Sequence, residues 1–241
     1  MTHSLRLSGF ILTQNSQSTL APILQQMCFV CDEVLVVDGG SSDKTLEIAA
    51  GFPKVRILQR PFTGDFAGQR NYAMDQARGA WLFWLDTDEL LGRRAMRWLR
   101  FLTYLPLVNW YAIPRLWLVE KAGRIEYLAA APYFRGRQYR LFRNKPELRF
   151  YSSDGGMHEK FRKETMGWGL ALRSMYLYHY DFLLRDRKSR EAKVKRYYEM
   201  APQLGHIHDT YLWEDFDIPT KAPPEPLPGD LRKPGEIKPP G

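Results

Sequence analysis

Cysteine is nearly missing from this 241-residue sequence, which holds only Cys28 and Cys31. Two cysteines exclude a disulfide scaffold. Their C-x-x-C spacing is open to a zinc or redox reading, but no second Cys/His pair with ligand spacing follows. Apolar Phe29 and Val30 separate the two thiols just before a strand, so structural burial is the expectation. Long apolar runs are missing too. The longest membrane-like stretch, 101–114, carries Pro106, Asn109 and Pro114 and is too short to span. The start, MTHSLRLSGFILTQNS, has no small-residue cleavage site after its brief apolar segment, so no secretory signal is expected. Neither a G-x-G-x-x-G fingerprint nor a Walker loop occurs, which weighs against dinucleotide and P-loop chemistry. No internal repeat is apparent.

What is present is a large apolar fraction, 44%, with 14% aromatics, enough for one sizeable core. Thirty-five Lys and Arg against twenty-seven Asp and Glu give a net charge of +8. An anionic partner fits that excess, whether nucleic acid, nucleotide phosphate or acidic membrane.

The first hundred residues alternate between strand and helix patterning. Strands are expected over 5–13, 33–38, 54–59 and 81–86, and helices over 18–29, 43–50, 64–78 and 92–102. This order predicts βαβ units, a mostly parallel sheet, and ligands at the carboxyl ends of its strands. Asp38 and Asp86 both stand at such ends. Beyond residue 105 the pattern changes. Residues 110–120 and 124–128 flank Lys-Ala-Gly as a hairpin, 138–143 is a further strand, and 171–180 is one more. A basic helix is expected over 181–200, with seven Lys/Arg against four acids. Eight of the sixteen prolines fall in 219–241, which reads as an extended or disordered tail. The organisation is therefore 1–105 as a ligand-binding α/β half, 106–212 as a second half of the same domain, and 213–241 as a Pro-rich tail.

The chemistry-bearing groups sit at the strand ends. In Asp86-Thr87-Asp88-Glu89, residues 86 and 88 project to one side if extended, and two such carboxylates repel unless a cation lies between them. A hard divalent ion, Mg²⁺ or Mn²⁺, suits those oxygens and adds phosphate oxygens readily. The competing reading is a turn in which Thr87 or Asp88 caps a following helix. In Asp38-Gly39-Gly40-Ser41-Ser42-Asp43, the glycines and hydroxyls account for the turn but leave Asp38 available for a base or ribose. Arg70 reads as a surface residue or as a counter-charge for a diphosphate. Interleaved Arg and aromatics in APYFRGRQYRLFR keep a nucleic-acid-binding protein as one alternative, and a nucleotidyltransferase on a similar scaffold is another.

The ordered set ILTQN, DEVLVVDGGSSDKTLEIA, RPF, GQRNYAMDQARGAWLFWLDTDE, RQYRLFRN, MHEKF and LYHYDF resembles glycosyltransferase family 2. It is most similar to the bacterial subgroup containing lipopolysaccharide-core β-1,4-glucosyltransferases, over about residues 5 to 200. The resemblance implies a GT-A fold, with a mostly parallel central sheet flanked by helices and a smaller acceptor-side β/α region. It also implies an inverting, metal-dependent hexosyl transfer with Mn²⁺ or Mg²⁺. The donor is a nucleotide-sugar, UDP-sugar favoured, and the acceptor is a cell-envelope glycan or glycolipid. A cytoplasmic location with peripheral contact at an anionic inner-membrane face follows, and no nucleic acid is expected.

Carried over by position, Thr13 lies beside the donor nucleotide, Asp38 contacts the base and Arg70 lies near its phosphates. Asp86 and Asp88 form the D-x-D. Asp88 is favoured as direct metal ligand, Asp86 lies nearer ribose or metal, and His179 joins the metal shell or the diphosphate. His158-Glu159 matches a family His-Glu pair, which favours Glu159 as catalytic base with Asp154 as the alternative. Two positions depart from the family pattern. Gln14-Asn15-Ser16 stands where Lys-Asn-Glu is common, and Gly39 where many members have a second acid.

Overall fold

The computed structural model describes residues 5–133, 136–152, 159–200, 209–215 and 217–233. In chain order the elements of the first half are β1 (Leu7–Thr13), α1 (Leu20–Val30), β2 (Glu33–Asp38), α2 (Thr45–Ala50), β3 (Val55–Gln59), α3 (Phe66–Gln76), β4 (Trp81–Leu85), β5 (Glu89–Leu91) and α4 (Arg93–Leu102). The second half adds β6 (Trp110–Lys121), β7 (Arg124–Leu128), β8 (Arg137–Arg143), β9 (Phe150–Ser152), β10 (Glu159–Phe161), α5 (Lys163–Met166), β11 (Gly169–Ala171), β12 (Leu177–His179), α6 (Asp181–Leu184), α7 (Arg187–Met200) and β13 (Thr220–Lys221).

The main sheet runs β13-β7-β6-β8-β4-β1-β2-β3. Its β4-β1-β2-β3 portion is parallel. Strand polarity reverses at β8, which lies antiparallel between β4 and β6. The parallel strands are apolar on both faces because each face has its own helix layer. Leu7 and Ile11, Val34 and Val36, and Trp81, Phe83 and Leu85 join the core under α1 and α4. Their neighbours Phe10, Leu35, Val37, Leu82 and Trp84 pack on the other side with Ala73 and Met74 of α3. This two-residue alternation is strand geometry written into two cores. Cys31 is buried in the first core and neither cysteine is bridged, as the burial reading expects.

The chain leaves β1 in one direction toward β2 and β3, while β4 flanks β1 on the other side. That switch opens a crevice at the carboxyl ends of β1 and β4, where Thr13 and the 86–88 turn stand.

Two elements of the second half differ from expectation. The helix expected over 181–200 is broken: Arg185 is extended, and Asp186 accepts the Ser189 amide at 2.8 Å, starting α7 anew. The strand expected over 171–180 is two short ones, β11 and β12, both parallel to β6 at different registers. The Pro-rich segment, expected as an extended or disordered tail, is seated on the body over 217–233. There β13 pairs with β7, the Ala129 amide donates to the Pro219 carbonyl at 2.7 Å, and Leu231 is buried. The Tyr180 hydroxyl donates to the Gly229 carbonyl at 2.6 Å. No described helix is long and apolar enough to cross a membrane.

Removing that last bond tests whether the segment is part of the folded unit. Tyr180→Phe is expected to lower the unfolding free energy by about 1 kcal/mol. Urea denaturation measures it, and unchanged stability would mean that the segment is not held there.

Candidate active site

A cleft of about 1420 Å³ opens at the carboxyl end of β4. Eight lysines and arginines line it against three carboxylates, Asp86, Asp88 and Glu164. Four separate stretches of chain deliver the inner groups. The turn between β4 and β5 supplies Asp86, Thr87 and Asp88. It is closed by the Glu89 amide donating to the Asp86 carbonyl at 3.2 Å, and a strand rather than a helix follows it. Helical spacing puts Arg70 on the same buried face of α3 as Ala67, Ala73 and Met74. The register of β12 against β5 sets His179 opposite Glu89, and the Tyr180 amide donates to the Asp88 carbonyl at 2.8 Å. Finally, α7 turns the face formed by Ser189, Ala192, Lys193, Arg196 and Tyr197 toward the cleft, at the i, i+3, i+4, i+7, i+8 spacing.

The floor is a charge network that the sequence reading missed. The guanidinium of fully buried Arg140 reaches Glu89 at 2.5 Å and Asp86 at 2.9 Å through one nitrogen. Arg70 meets the other Asp86 oxygen at 3.3 Å. Both guanidinium carbons lie against the Trp84 ring, at 3.4 Å for Arg140 and 3.7 Å for Arg70. Glu89 is itself fully buried and also faces Arg115 at 3.5 Å. Burial opposes ionisation of Asp86, but Arg140 and Arg70 outweigh it and hold the carboxyl well below its ordinary range. Asp86 is thus a committed anion whose oxygens serve guanidiniums. As a metal ligand it fits poorly.

Asp88 is different. Burial raises its pKa, helped by repulsion from Asp86 and Glu89, against the pull of Lys193 and Arg185. Its Oδ1 lies 3.4 Å from His179 Nε2 and its Oδ2 3.5 Å from Arg185. His179 rests on the Trp117 ring, centroids 3.9 Å apart. Burial, then Arg115 and Lys193, push its pKa well below 6.5, so the imidazole is neutral. A neutral imidazole and a carboxylate are hard-to-borderline donors of the kind Mn²⁺ accepts. Their 3.4 Å separation is long for a hydrogen bond and near the ~3 Å between adjacent ligands of one octahedral ion. No cluster of three or more His, Cys, Asp or Glu side chains suited to a metal occurs among the described residues. Among the expected metal ligands, Asp88 and His179 are the two whose donor atoms face each other.

The other expected residues are placed as follows. Thr13 ends β1 next to Asp38 in register, and its Oγ1 is buried without a hydrogen-bond partner. Asp38 is buried and accepts from the Gly40 and Ser41 amides, both at 2.9 Å, and from the Ser41 hydroxyl at 2.5 Å. The turn thus uses the carboxylate that the sequence reading left for a base. Neither Thr13 nor Asp38 lines the cleft, although Leu12 does. The Glu159 backbone belongs to β10, paired with Ser152. Asp154 and His158 lie outside the described residues, as does the Glu159 side chain. Of the residues offered above as a base-stacking platform, Tyr133, Arg140 and Phe142 are buried, whereas Arg137 and Tyr139 line the cleft and Phe134 and Arg135 lie outside the described residues.

Arg140 left one signal in the sequence, a charge at the centre of a strand whose next two residues, Leu141 and Phe142, are apolar. Arg115, Lys193 and Tyr211 left none, because only the register of β6 and the break before α7 bring them to the cleft.

The architecture belongs to a known class: the fold is GT-A. The structure superposes on TarS residues 1–349 of S. aureus with a TM-score of 0.53 at 14% identity, covering 87% of this chain and 70% of that one. For the mannosyltransferase PcManGT of Pyrobaculum calidifontis, solved with GDP-Man and Mn²⁺, the TM-score is 0.54 at 14% identity, covering 90% and 67%. Residues 10–96 match the sequence model of glycosyl transferase family 2, and that segment is a family 2 glycosyltransferase domain. Over 98 residues the chain is 34% identical to LpsC of Rhizobium meliloti, a lipopolysaccharide core biosynthesis glycosyltransferase, covering 39% of this chain and 35% of the relative. It spans only 27%, 35% and 29% of the length of three of the curated relatives that it matches.

Two expectations follow from the geometry. Arg140→Met leaves Glu89 and Asp86 without their shared cation and is expected to cost about 3–5 kcal/mol, whereas Glu89→Gln with Arg140→Met restores much of it. Equal losses in urea denaturation for the single and double variants would remove Arg140 as the neutralising group. For His179, a folded pKa below the unfolded value means that its stability contribution is full above about 6.5 and is lost as pH falls. His179→Asn is therefore expected to lose less melting temperature than the parent between about pH 7 and 5; parallel curves would refute it.

Proposed function

We propose that this chain is an inverting glycosyltransferase. It moves a hexosyl group from a nucleotide-diphosphate donor, with UDP-sugars favoured, to a cell-envelope glycan or glycolipid, in lipopolysaccharide synthesis or a related process. The observation that carries the reading is the pairing of Asp88 with neutral His179 inside a cation-rich cleft at the end of β4. This is a donor set for Mn²⁺ or Mg²⁺ surrounded by partners for a diphosphate. The family match over residues 10–96, the likeness to LpsC, and solved GT-A structures bound to GDP-Man with Mn²⁺ or to UDP-GlcNAc support it.

In this reading Asp88 and His179 hold the divalent cation, which, when bound, offsets the charge of the departing nucleoside diphosphate. Arg185 and Lys193 hold diphosphate oxygens from the other side of the cleft. Asp86, fixed as an anion by Arg70 and Arg140, accepts from a ribose hydroxyl. Asp38 acts on the nucleotide through the 39–41 loop that it ties down, with Thr13 beside it. Glu159, or Asp154 as the alternative, removes the acceptor hydroxyl proton as that oxygen attacks the sugar carbon on the face opposite the leaving group.

Thermal unfolding against UDP-, GDP-, CMP- and dTDP-sugars, each with Mn²⁺ or with chelator, tests the reading. One nucleotide is expected to raise the melting temperature in a metal-dependent way, and at a hundred times its Kd the gain is about 2.7 kcal/mol. Asp88→Asn is expected to remove that gain and nearly all transfer while melting normally without ligand. Glu159→Gln is expected to lower turnover by about 10² or more with the donor shift intact. A donor shift absent throughout, or insensitive to Asp88→Asn, would overturn the assignment.

A further inference from the structure

Away from the cleft, α4 presents a second unusual surface. From Leu90 to Val119 the chain contains no Asp or Glu, while it carries Arg93, Arg94, Arg97, Arg100 and Arg115. The inner side of α4, formed by Ala95, Met96 and Leu99, is buried against the core. Its outer side interleaves Arg93, Arg94 and Arg97 with Trp98 and Phe101, all exposed. The two rings touch, centroids 5.5 Å apart, and the Arg97 guanidinium sits 5.7 Å from the Trp98 ring. The apolar surface continues into the turn after the helix through Tyr104, Leu105 and Leu107, the last 82% exposed. It then reaches Trp168, 60% exposed, whose carbonyl accepts the Asn109 amide at 2.8 Å.

The nearby acids are accounted for. Asp32 pairs with Arg100 at 2.8 Å, and Glu225 accepts the Arg94 amide at 3.2 Å. No ion pair joins Arg93, Arg94 or Arg97 to an acid among the described residues. An exposed stripe of Trp, Phe and Leu would ordinarily be covered by a protein partner or a bilayer. Uncompensated arginines interleaved with interfacial aromatics, and a leucine at a loop tip, favour the bilayer. Guanidiniums meet lipid phosphates while the rings and Leu107 enter the headgroup boundary.

We propose that the outer face of α4, with the 103–107 turn and Trp168, is a docking surface for an anionic lipid bilayer. The short helix α5, which contributes Glu164 and Met166 to the cleft wall, ends two residues before Trp168. The basic helix α7 turns Lys193 and Arg196 into the cleft. The docking proposal does not depend on the glycosyl-transfer reading.

Vesicle flotation with the full chain tests it. Vesicles made of equal parts phosphatidylcholine and phosphatidylglycerol are expected to carry the protein up the gradient, and pure phosphatidylcholine vesicles to carry far less. Trp98→Ser with Phe101→Ser and Leu107→Ser is expected to lower the vesicle partition coefficient about tenfold or more. Arg94→Glu with Arg97→Glu is expected to lower it similarly on anionic vesicles only. Because all five side chains are exposed, each variant should melt with the parent, and the charge variant serves if the apolar one misfolds. Lys188→Glu with Lys195→Glu, on the outer side of α7, should leave partitioning unchanged. The proposal is overturned if the patch variants float like the parent, or if only the α7 variant loses binding. It also fails if the parent ignores vesicles and sedimentation shows a dimer that the patch variants dissolve, which would assign the face to a second copy of the chain.

Discussion

The site depends on a buried guanidinium. Three carboxylates, Asp86, Asp88 and Glu89, fall within four residues at the end of a wholly buried strand, and such a turn is electrostatically unstable unless cations meet it. Arg140 meets two of the three, lying against Trp84 with no exposed surface. That contact fixes the distance between β4 and β8, the antiparallel pair where the sheet changes direction. It also separates the roles of the acids. Asp86 and Asp88 are two residues apart, yet their proton affinities move in opposite directions. Divergent pKa shifts in one cleft mark groups with different tasks. One carboxylate is engaged by two guanidiniums, and the other faces an imidazole and Arg185.

The second half of the chain delivers that imidazole. Among the described elements β6 is the longest strand, and it serves four partners along its length: β8 and β11 near its start, β12 in the middle and β7 at its end. A register irregularity at Tyr111/Ala112 bends it. Trp117 of β6 then becomes the platform for His179 and gathers Tyr133, Phe182 and Tyr211 into a small third core. The segment after the cleft therefore helps to position His179 beside Asp88 and is more than a trailing tail.

Legibility in the sequence follows from this division. The strands and helices of the first half could be read within a few residues because each strand is flanked by two helix layers and each helix shows one apolar face. The span 33–38 and the hairpin strand 124–128 match the structure end to end. Between residues 144 and 184 the elements shrink to three or four residues, too short for either periodicity to repeat. The break at Arg185–Asp186 was hidden because Asp186 reads equally well inside a helix and as the start of one. At the site, Asp86, Asp88 and Arg70 could be named from pattern and His179 from the family resemblance, and all four line one cleft. What pattern could not give was their state. Asp38 looked free until its loop was seen to use both of its oxygens, and Asp86 looked like a ligand until Arg140 appeared beneath it.

The same electrostatics explains why the cleft favours anions. Arg115, Arg185 and Lys193 crowd one wall, and Asp181 is the carboxylate that binds both Arg185 and Lys193. Burial, and then repulsion from Arg185 and Arg115, lowers the Lys193 pKa despite the opposing pull of Tyr197 and Asp88. Such a wall stores repulsion that a bound polyanion relieves, and in a partly dry cleft the relief is worth more than in bulk water. Asp181 holds Arg185 and Lys193 side by side, and the lining as a whole keeps eight cations against three carboxylates, so the cleft favours a polyanion.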